Sequence, residues 1–335
     1  MKAQTWHGGA NLTLDDIPDP EPSPGYVVVK IDTTGICGTD VHVTQGLFPK
    51  DPPQILGHES SGTIVEVGDG VSSERIGQRV CINHPASCYE CWYCRNWSVC
   101  RCENQPGPSN GFYAQYVAVS SRSAVEIPET LDMETAALTE PAACCLSGVE
   151  MLDIPYRATG LVIGAGIMGL FTAAFMKSHG VETLVVSEPV KVRREMAKQF
   201  GADVLHDPSD VPLSEVISDV TDHGRGFDVT AEAVGKPELV AACINSTKPR
   251  GQTLMIGVSP EGSPLPVDLY DMHFREIKLI GAFRQGDVTH RVPSELAKLN
   301  LDNVISGSYP LADLHEAITA SAEGLGVKFV IKPNA

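Results

Sequence analysis

The stretch Gly164-Ala165-Gly166-Ile167-Met168-Gly169 constrains this chain more than any other. It follows the apolar run Leu161-Val162-Ile163, opens an apolar helical pattern that reaches His179, and precedes a second β-branched run, Thr183-Leu184-Val185-Val186. Alone, G-x-G-x-x-G is often an ordinary glycine turn. Inside a strand–helix–strand unit it predicts a parallel sheet whose first turn lets backbone N–H groups approach a pyrophosphate, with the helix N-terminus favouring the negative charge. Gly164, Gly166 and Gly169, with Ile167 and Met168 between them, are therefore candidate cofactor-binding residues.

Glu188 closes the second strand, about twenty residues beyond the last motif glycine. A carboxylate there accepts from ribose hydroxyls and repels a 2′-phosphate, which favours NAD over NADP. Arg193 and Arg194 keep NADP open, because either could fold back onto such a phosphate.

Further runs at Phe227–Ala231, Gly251–Ile256 and Ile277–Phe283, alternating with helical stretches, extend the α/β pattern and predict helices on both faces of the sheet. Before residue 155 the chain is different. Short β-branched runs such as Tyr26–Ile31 and Gly62–Val67 are separated by Gly- and Pro-rich turns. From about residue 286 the alternation stops, and the sequence does not say where this tail packs. A length of 335 residues suits two domains, with no internal repeat and no low-complexity linker.

A net charge of −17 argues against nucleic acid, which requires clustered Lys and Arg. No apolar run approaches the ~20 residues that span a bilayer. The first residues lack the charged-then-apolar pattern of a signal peptide, so a cytoplasmic location is expected.

Ten cysteines then need a reason other than disulfides. Four of them follow the spacing Cys88-x₂-Cys91-x₂-Cys94-x₇-Cys102. Zinc takes four thiolates tetrahedrally, and such a closed shell is structural because it leaves no place for substrate. A redox-active pair would not need four thiols. Cys100 competes with Cys102 for the fourth place, and Arg95 and Arg101 offset the site's negative charge.

Two more clusters are Gly35-Ile36-Cys37-Gly38-Thr39-Asp40-Val41-His42 and Gly57-His58-Glu59. Singly, Cys37 could be a small core residue and His58 a hydrogen-bonded core histidine. Combined with the glycine motif and the cysteine lobe, they resemble the zinc-containing medium-chain dehydrogenase/reductase family, in particular its sorbitol (polyol) dehydrogenase branch. Threonine and aminocyclitol dehydrogenases are similar relatives. The resemblance extends over nearly the whole chain, including Gly111–Tyr116, read as a strand, the pair Glu140-Pro141, and the closing Gly324–Lys328.

The resemblance implies a Rossmann doubly wound domain, residues 151–285, and a mainly β, GroES-like catalytic domain built discontinuously from residues 1–150 and 286–335. It implies two zinc ions per chain, one structural and one catalytic. Cys37, His58 and Glu140 are the expected ligands of the catalytic ion. Glu59 is either a direct ligand or a carboxylate that swings away, and Cys144 or Cys145 is a minor competitor. Zinc as a Lewis acid lowers the pKa of an alcohol, whose carbon then passes a hydride to the nicotinamide. Thr39 and His42 match the family's proton relay to solvent. Phe112 and Arg284 match positions that face substrate.

Val43 stands where several polyol dehydrogenases have an aromatic residue, and Thr39 where they have serine. The pocket could therefore suit a sugar alcohol, an aminocyclitol or amino-alcohol, or a secondary alcohol. A non-catalytic member would be expected to have lost these ligands. Family resemblance also implies a homo-oligomer, dimeric or tetrameric.

Overall fold

The computed structural model describes residues 1–335 apart from Trp97. The chain forms two units, one of residues 1–141 and 286–335, the other of residues 142–285.

In the second unit six strands lie side by side in the order Val204–His206, Val181–Ser187, Ala158–Ile163, Phe227–Glu232, Thr247–Met255 and Lys278–Gly281. Every neighbouring pair is parallel. In chain order this is the 3-2-1-4-5-6 arrangement of a doubly wound Rossmann sheet, as the alternating pattern predicts. Crossover helices cover both faces of such a sheet, so adjacent residues of a central strand are all buried. Leu161, Val162 and Ile163 show this directly. Helix Ile167–Ser178 is buried continuously from Gly169 to Met176, the behaviour of a helix apolar on all sides.

The edge strand Val204–His206 was not legible in the sequence, being too short to carry a periodicity. The run at Ile277–Phe283 forms only the short strand Lys278–Gly281. Strand order reverses between Ala158–Ile163 and Phe227–Glu232, the point where open α/β sheets receive ligands.

The first unit is mainly β. Its larger sheet has the order Ile305–Pro310, Lys328–Lys332, Tyr26–Gly35, Glu59–Val67, Arg79–Ile82, Ala124–Glu126, with Tyr116–Ser120 also paired to Tyr26–Gly35. Val27, Val29 and Ile31 of the hub strand pack with Ile64, Val80 and Phe112 in one core cluster. The tail joins this sheet: Lys328–Lys332 runs antiparallel to the hub strand, with Val330 opposite Gly35.

The segment Gly111–Tyr116 is not a strand as a whole, since the strand begins at Tyr116. Instead Phe112 N–H donates to the Gly57 carbonyl and Tyr113 N–H to the Leu56 carbonyl, laying this segment along the Gly57-His58 turn. Among the described residues, no helix is long and apolar enough to cross a membrane.

Candidate active site

Cys37 caps the short helix Gly38–Thr44, and the cap fixes its direction. Its N–H donates to Asp40 Oδ2 at 3.1 Å, while its Sγ accepts from Thr39 N–H at 3.5 Å. Thr39 and His42, three apart on this helix, share a face, with Thr39 half-buried and His42 exposed.

His58 and Glu59 follow Gly57, whose φ of +89° belongs to the left-handed region that favours glycine. Glu59 then begins the strand Glu59–Val67 and turns its carboxylate inward. One ligand atom from each of Cys37, His58 and Glu59 lies within 4.8 Å of the others. A sulfur, an imidazole nitrogen and a carboxylate oxygen form a donor set suited to zinc.

The local field suits a cation. Burial alone would lower the His58 pKa, but Cys37, Asp40 and Glu140 outweigh it and push the value well above the ordinary one.

Three residues that sequence reasoning did not single out complete the surroundings. Asp40 is buried, with Oδ1 3.7 Å from His58 Nδ1. The fully buried Tyr113 hydroxyl donates to Asp40 Oδ2 at 2.8 Å. A buried hydrogen bond to a charged group contributes about 1.5–3 kcal/mol. Lys328, also buried, pairs its ammonium with Glu59 and donates to the Ile36 carbonyl at 2.8 Å. Burial would lower the Lys328 pKa, yet the charges of Glu59, Cys37 and Glu140 raise it. The available signal was a lysine opening an otherwise buried strand, Lys328-Phe329-Val330-Ile331.

Glu140, expected as a ligand, lies outside the three-residue group. It sits half-buried in the first turn of helix Thr139–Val149, near enough for its charge to act on His58 and Lys328. Cys144 and Cys145 are also outside the group, and Cys145 Sγ donates to the Met168 carbonyl at 3.2 Å. Phe112, expected to face substrate, is wholly buried and packs edge-on to His84, so its ring is core. Arg284 adopts a positive φ of 59°, its guanidinium 4.8 Å from the centre of the Phe283 ring.

Cys88, Cys91, Cys94 and Cys102 form the second group, again with all four sulfurs within 4.8 Å of one another. Tetrahedral zinc with Zn–S near 2.3 Å requires sulfurs about 3.8 Å apart. Cys88 and Cys94 sulfurs stand 4.0 Å apart. Backbone donors favour the thiolates, with Cys91 N–H to Cys88 Sγ at 3.3 Å and Cys88 N–H to Cys102 Sγ at 3.2 Å. Cys100 is not in this group, and its sulfur lies 2.8 Å from Ser98 Oγ.

In the second unit, the motif glycines differ in what they permit. Gly164 has φ +100°, and a Cβ at Gly169 would collide with the Gly164 carbonyl. Gly166 caps the helix, and a Cβ there would meet nothing within 4 Å, so the space beside its Cα is open. Ile167 and Met168, both half-buried, form the first turn. Glu188 is buried, with Oε2 accepting from Ala165 N–H at 2.8 Å and Oε1 from Val190 N–H at 2.9 Å. Arg194 binds the Glu188 carbonyl at 2.7 Å and Asp207 at 2.8 Å, while Arg193 is half-buried on the same helix, Lys191–Met196.

Residues 23–129 match the model of the alcohol dehydrogenase GroES-like domain, and residues 168–301 match that of the zinc-binding dehydrogenases. The chain is 30% identical to a sorbitol dehydrogenase of Halalkalibacterium halodurans, the match covering 99% of each protein. The chain belongs to the zinc-containing medium-chain dehydrogenase/reductase family.

Another member of this dehydrogenase family, an L-threonine 3-dehydrogenase of Pyrococcus abyssi, is 32% identical over 92% of the chain and 90% of its own length. Among solved structures, a crystal structure described as that of a zinc-binding dehydrogenase from Sinorhizobium meliloti 1021, bound to NADP, is similar with a TM-score of 0.92. It is 32% identical, with 99% of each chain covered.

Proposed function

We propose that this dehydrogenase oxidises a polyol or a similar small alcohol with NAD. The observation that carries the reading is the convergence of Cys37, His58 and Glu59 on one point, beside the helix that bears Thr39 and His42. These residues, with Glu140 closing in from its helix, would hold a catalytic zinc, and Cys88, Cys91, Cys94 and Cys102 a structural one. The bound zinc supplies Lewis acidity, which makes a hydroxyl a stronger acid, and the nicotinamide accepts the hydride.

The chain's own residues do the rest. Asp40 orients the His58 ring and is itself fixed by Tyr113 and the Cys37 amide, the kind of outer support that keeps a ligand in register. Thr39 accepts the proton of the hydroxyl as it gives up its own, which passes through the ribose hydroxyl and His42 to solvent. In residues 142–285, Gly164, Gly166 and Gly169 admit the pyrophosphate, and Glu188 receives the ribose. The remaining segments, 1–141 and 286–335, form the catalytic part. Arg194, committed to Asp207, is not offered to a 2′-phosphate, which supports NAD. Arg284 is retained as a substrate contact.

A polyol is favoured by likeness to the sorbitol dehydrogenase, and the threonine dehydrogenase relative gives the second reading, an amino-alcohol or aminocyclitol. A panel of polyols, aminocyclitols, amino-alcohols and secondary alcohols, each with NAD and with NADP, tests class and cofactor together through the absorbance of the reduced nicotinamide. Turnover of amino-alcohols alone would replace the polyol reading, and turnover of none would end both.

We also propose a homo-oligomer. Lys278–Gly281 is an edge strand, and Leu269, Tyr270 and Phe274 nearby in the chain are 75%, 72% and 66% exposed. An open edge and exposed large apolar side chains are features that self-association covers. Light scattering during size exclusion should give at least a dimer, and a monomer would reject this. A cluster of four thiols placed to hold a metal suits a reducing compartment, which favours the cytoplasm.

A further inference from the structure

Arg194 is held by three acceptors. Its Nη1 donates to the carbonyls of Glu188 and Pro189 at 2.7 and 2.9 Å, and its Nη2 pairs with Asp207 Oδ2 at 2.8 Å. Glu188 and Pro189 follow strand Val181–Ser187 directly, so the guanidinium lies at the strand end where a ribose would be read. An arginine near that point is the usual partner of a 2′-phosphate in sheets of this kind. Here it is already engaged.

The edge strand supplies Asp207. Val204–His206 runs parallel to Val181–Ser187 with His206 opposite Ser187, and Glu188 N–H donates to the His206 carbonyl at 3.0 Å. The turn that follows is tied down from several sides. Asp207 Oδ1 accepts from Ser209 N–H at 2.9 Å, and the Asp207 carbonyl accepts from the N–H groups of Asp210 and Val211. The His206 ring bridges Ser187 Oγ and the Val211 carbonyl at 2.9 and 2.8 Å. Side-chain exposures are 14% for Arg194 and 19% for Asp207, so water screens this pair less than an ion pair on the open surface. The Ser209 N–H and the Arg194 charge hold the Asp207 carboxyl below its ordinary range despite desolvation.

We infer that Asp207 is a specificity-determining residue that secures the choice of NAD by keeping Arg194 off a 2′-phosphate. The inference rests on the dinucleotide reading of Gly164, Gly166, Gly169 and Glu188 above. Glu188 repels a 2′-phosphate, but an unengaged arginine beside it would offset that repulsion. A phosphate that competes for Nη2 must displace a carboxylate fixed by its own turn, and it meets the charge of that carboxylate as well. Without the Asp207 charge, Arg194 keeps its two carbonyls and offers Nη2 to the incoming phosphate.

The test is fluorescence titration of the full-length protein with NADH and with NADPH, reading the ratio of the two dissociation constants. Asp207→Asn should shift this ratio toward NADPH by about tenfold, the scale of one hydrogen bond to a charged group. Asp207→Asn combined with Arg194→Gln should lose most of the shift, because the new partner of the phosphate is gone. An unchanged ratio in a folded Asp207→Asn protein, or a full shift that survives Arg194→Gln, would overturn the inference.

If Asp207→Asn does not fold, Arg194→Gln alone decides. A ratio equal to that of the wild type agrees with an arginine that never reaches the 2′-phosphate. A ratio moved against NADPH would show that it does, and so would a wild type that favours NADPH; either result overturns the assignment. Wild-type protein that binds neither nucleotide would instead remove the dinucleotide reading itself, and this proposal with it.

Discussion

The amide of Ala165, inside the glycine motif, donates to the carboxylate of Glu188 at 2.8 Å. The acidic residue at the end of the second strand is thus already tied to the loop that would receive the pyrophosphate. A carboxylate oxygen has lone pairs left for ribose hydroxyls while holding this amide.

Glu188→Ala should therefore lower kcat/KM with NAD by about tenfold or more, the scale of losing charged hydrogen bonds of about 1.5–3 kcal/mol. The loss with NADP should be smaller, because the same change removes a repulsive charge. Steady-state kinetics with both cofactors would show the ratio narrowing. A wild type that prefers NADP would sink the assignment of Glu188 and turn attention to Arg193.

The cysteine lobe gives a test between two neighbours. Cys102→Ser should cost the structural zinc and lower the melting temperature, whereas Cys100→Ser should be nearly silent, since its sulfur bonds with Ser98 rather than the ligand group. Metal analysis and thermal melts on the two variants suffice, and the reverse result would exchange their assignments.

Metal content checks both sites together. Chelator-washed protein should retain close to two zinc ions per chain, and Cys37→Ser should retain one while losing turnover and keeping its fold. Full zinc content in the Cys37→Ser protein would show that Cys37 is not a ligand.

The proton route separates turnover from metal binding. His42 is exposed at the helix surface, where water can bypass it, so His42→Ala should slow turnover at neutral pH by about ten- to a hundredfold. Raised pH or added imidazole should restore part of the rate, with zinc content unchanged. Thr39→Val should be more damaging, because it removes the first acceptor. A pH–rate profile identical to wild type in His42→Ala would leave the proton to another path.

Asp228 accepts from Thr159 N–H and Oγ–H, each at 2.9 Å, and pairs with Lys248. Burial would raise its pKa, but Lys248 and Thr159 outweigh this and hold it below the ordinary value. A depressed folded-state pKa means stabilisation that is complete above the unfolded value, near 3.9, and lost as pH falls through the folded one. Asp228→Asn should thus destabilise the protein at pH 7, with the gap to wild type closing in acid. Denaturation series at several pH values would read this, and a gap independent of pH would contradict it.

The sequence by itself determined the features that depend on near neighbours. The glycine motif between two apolar strands specifies a crossover unit, and alternating runs after residue 155 specify the parallel sheet. The cysteine spacing brings four sulfurs into one short lobe. In each case the participating residues are close in the chain, so local geometry leaves few alternatives. Even there, family resemblance favours Cys102 while Cys100 stays a competitor, because two residues of difference is within the reach of a loop.

Tertiary structure decided what sheet pairing brings together. Lys328 meets Glu59 and the Ile36 carbonyl only because the last strand lies against Tyr26–Gly35. Tyr113 reaches Asp40 because its segment follows the Gly57 turn. Phe112, by contrast, lands in the core, and Glu140 stands outside the group of Cys37, His58 and Glu59. Spacing rules cannot anticipate such encounters. Their partners are distant in the chain, and the register of the pairing strands, fixed by burial of the whole apolar face, sets which side chains meet.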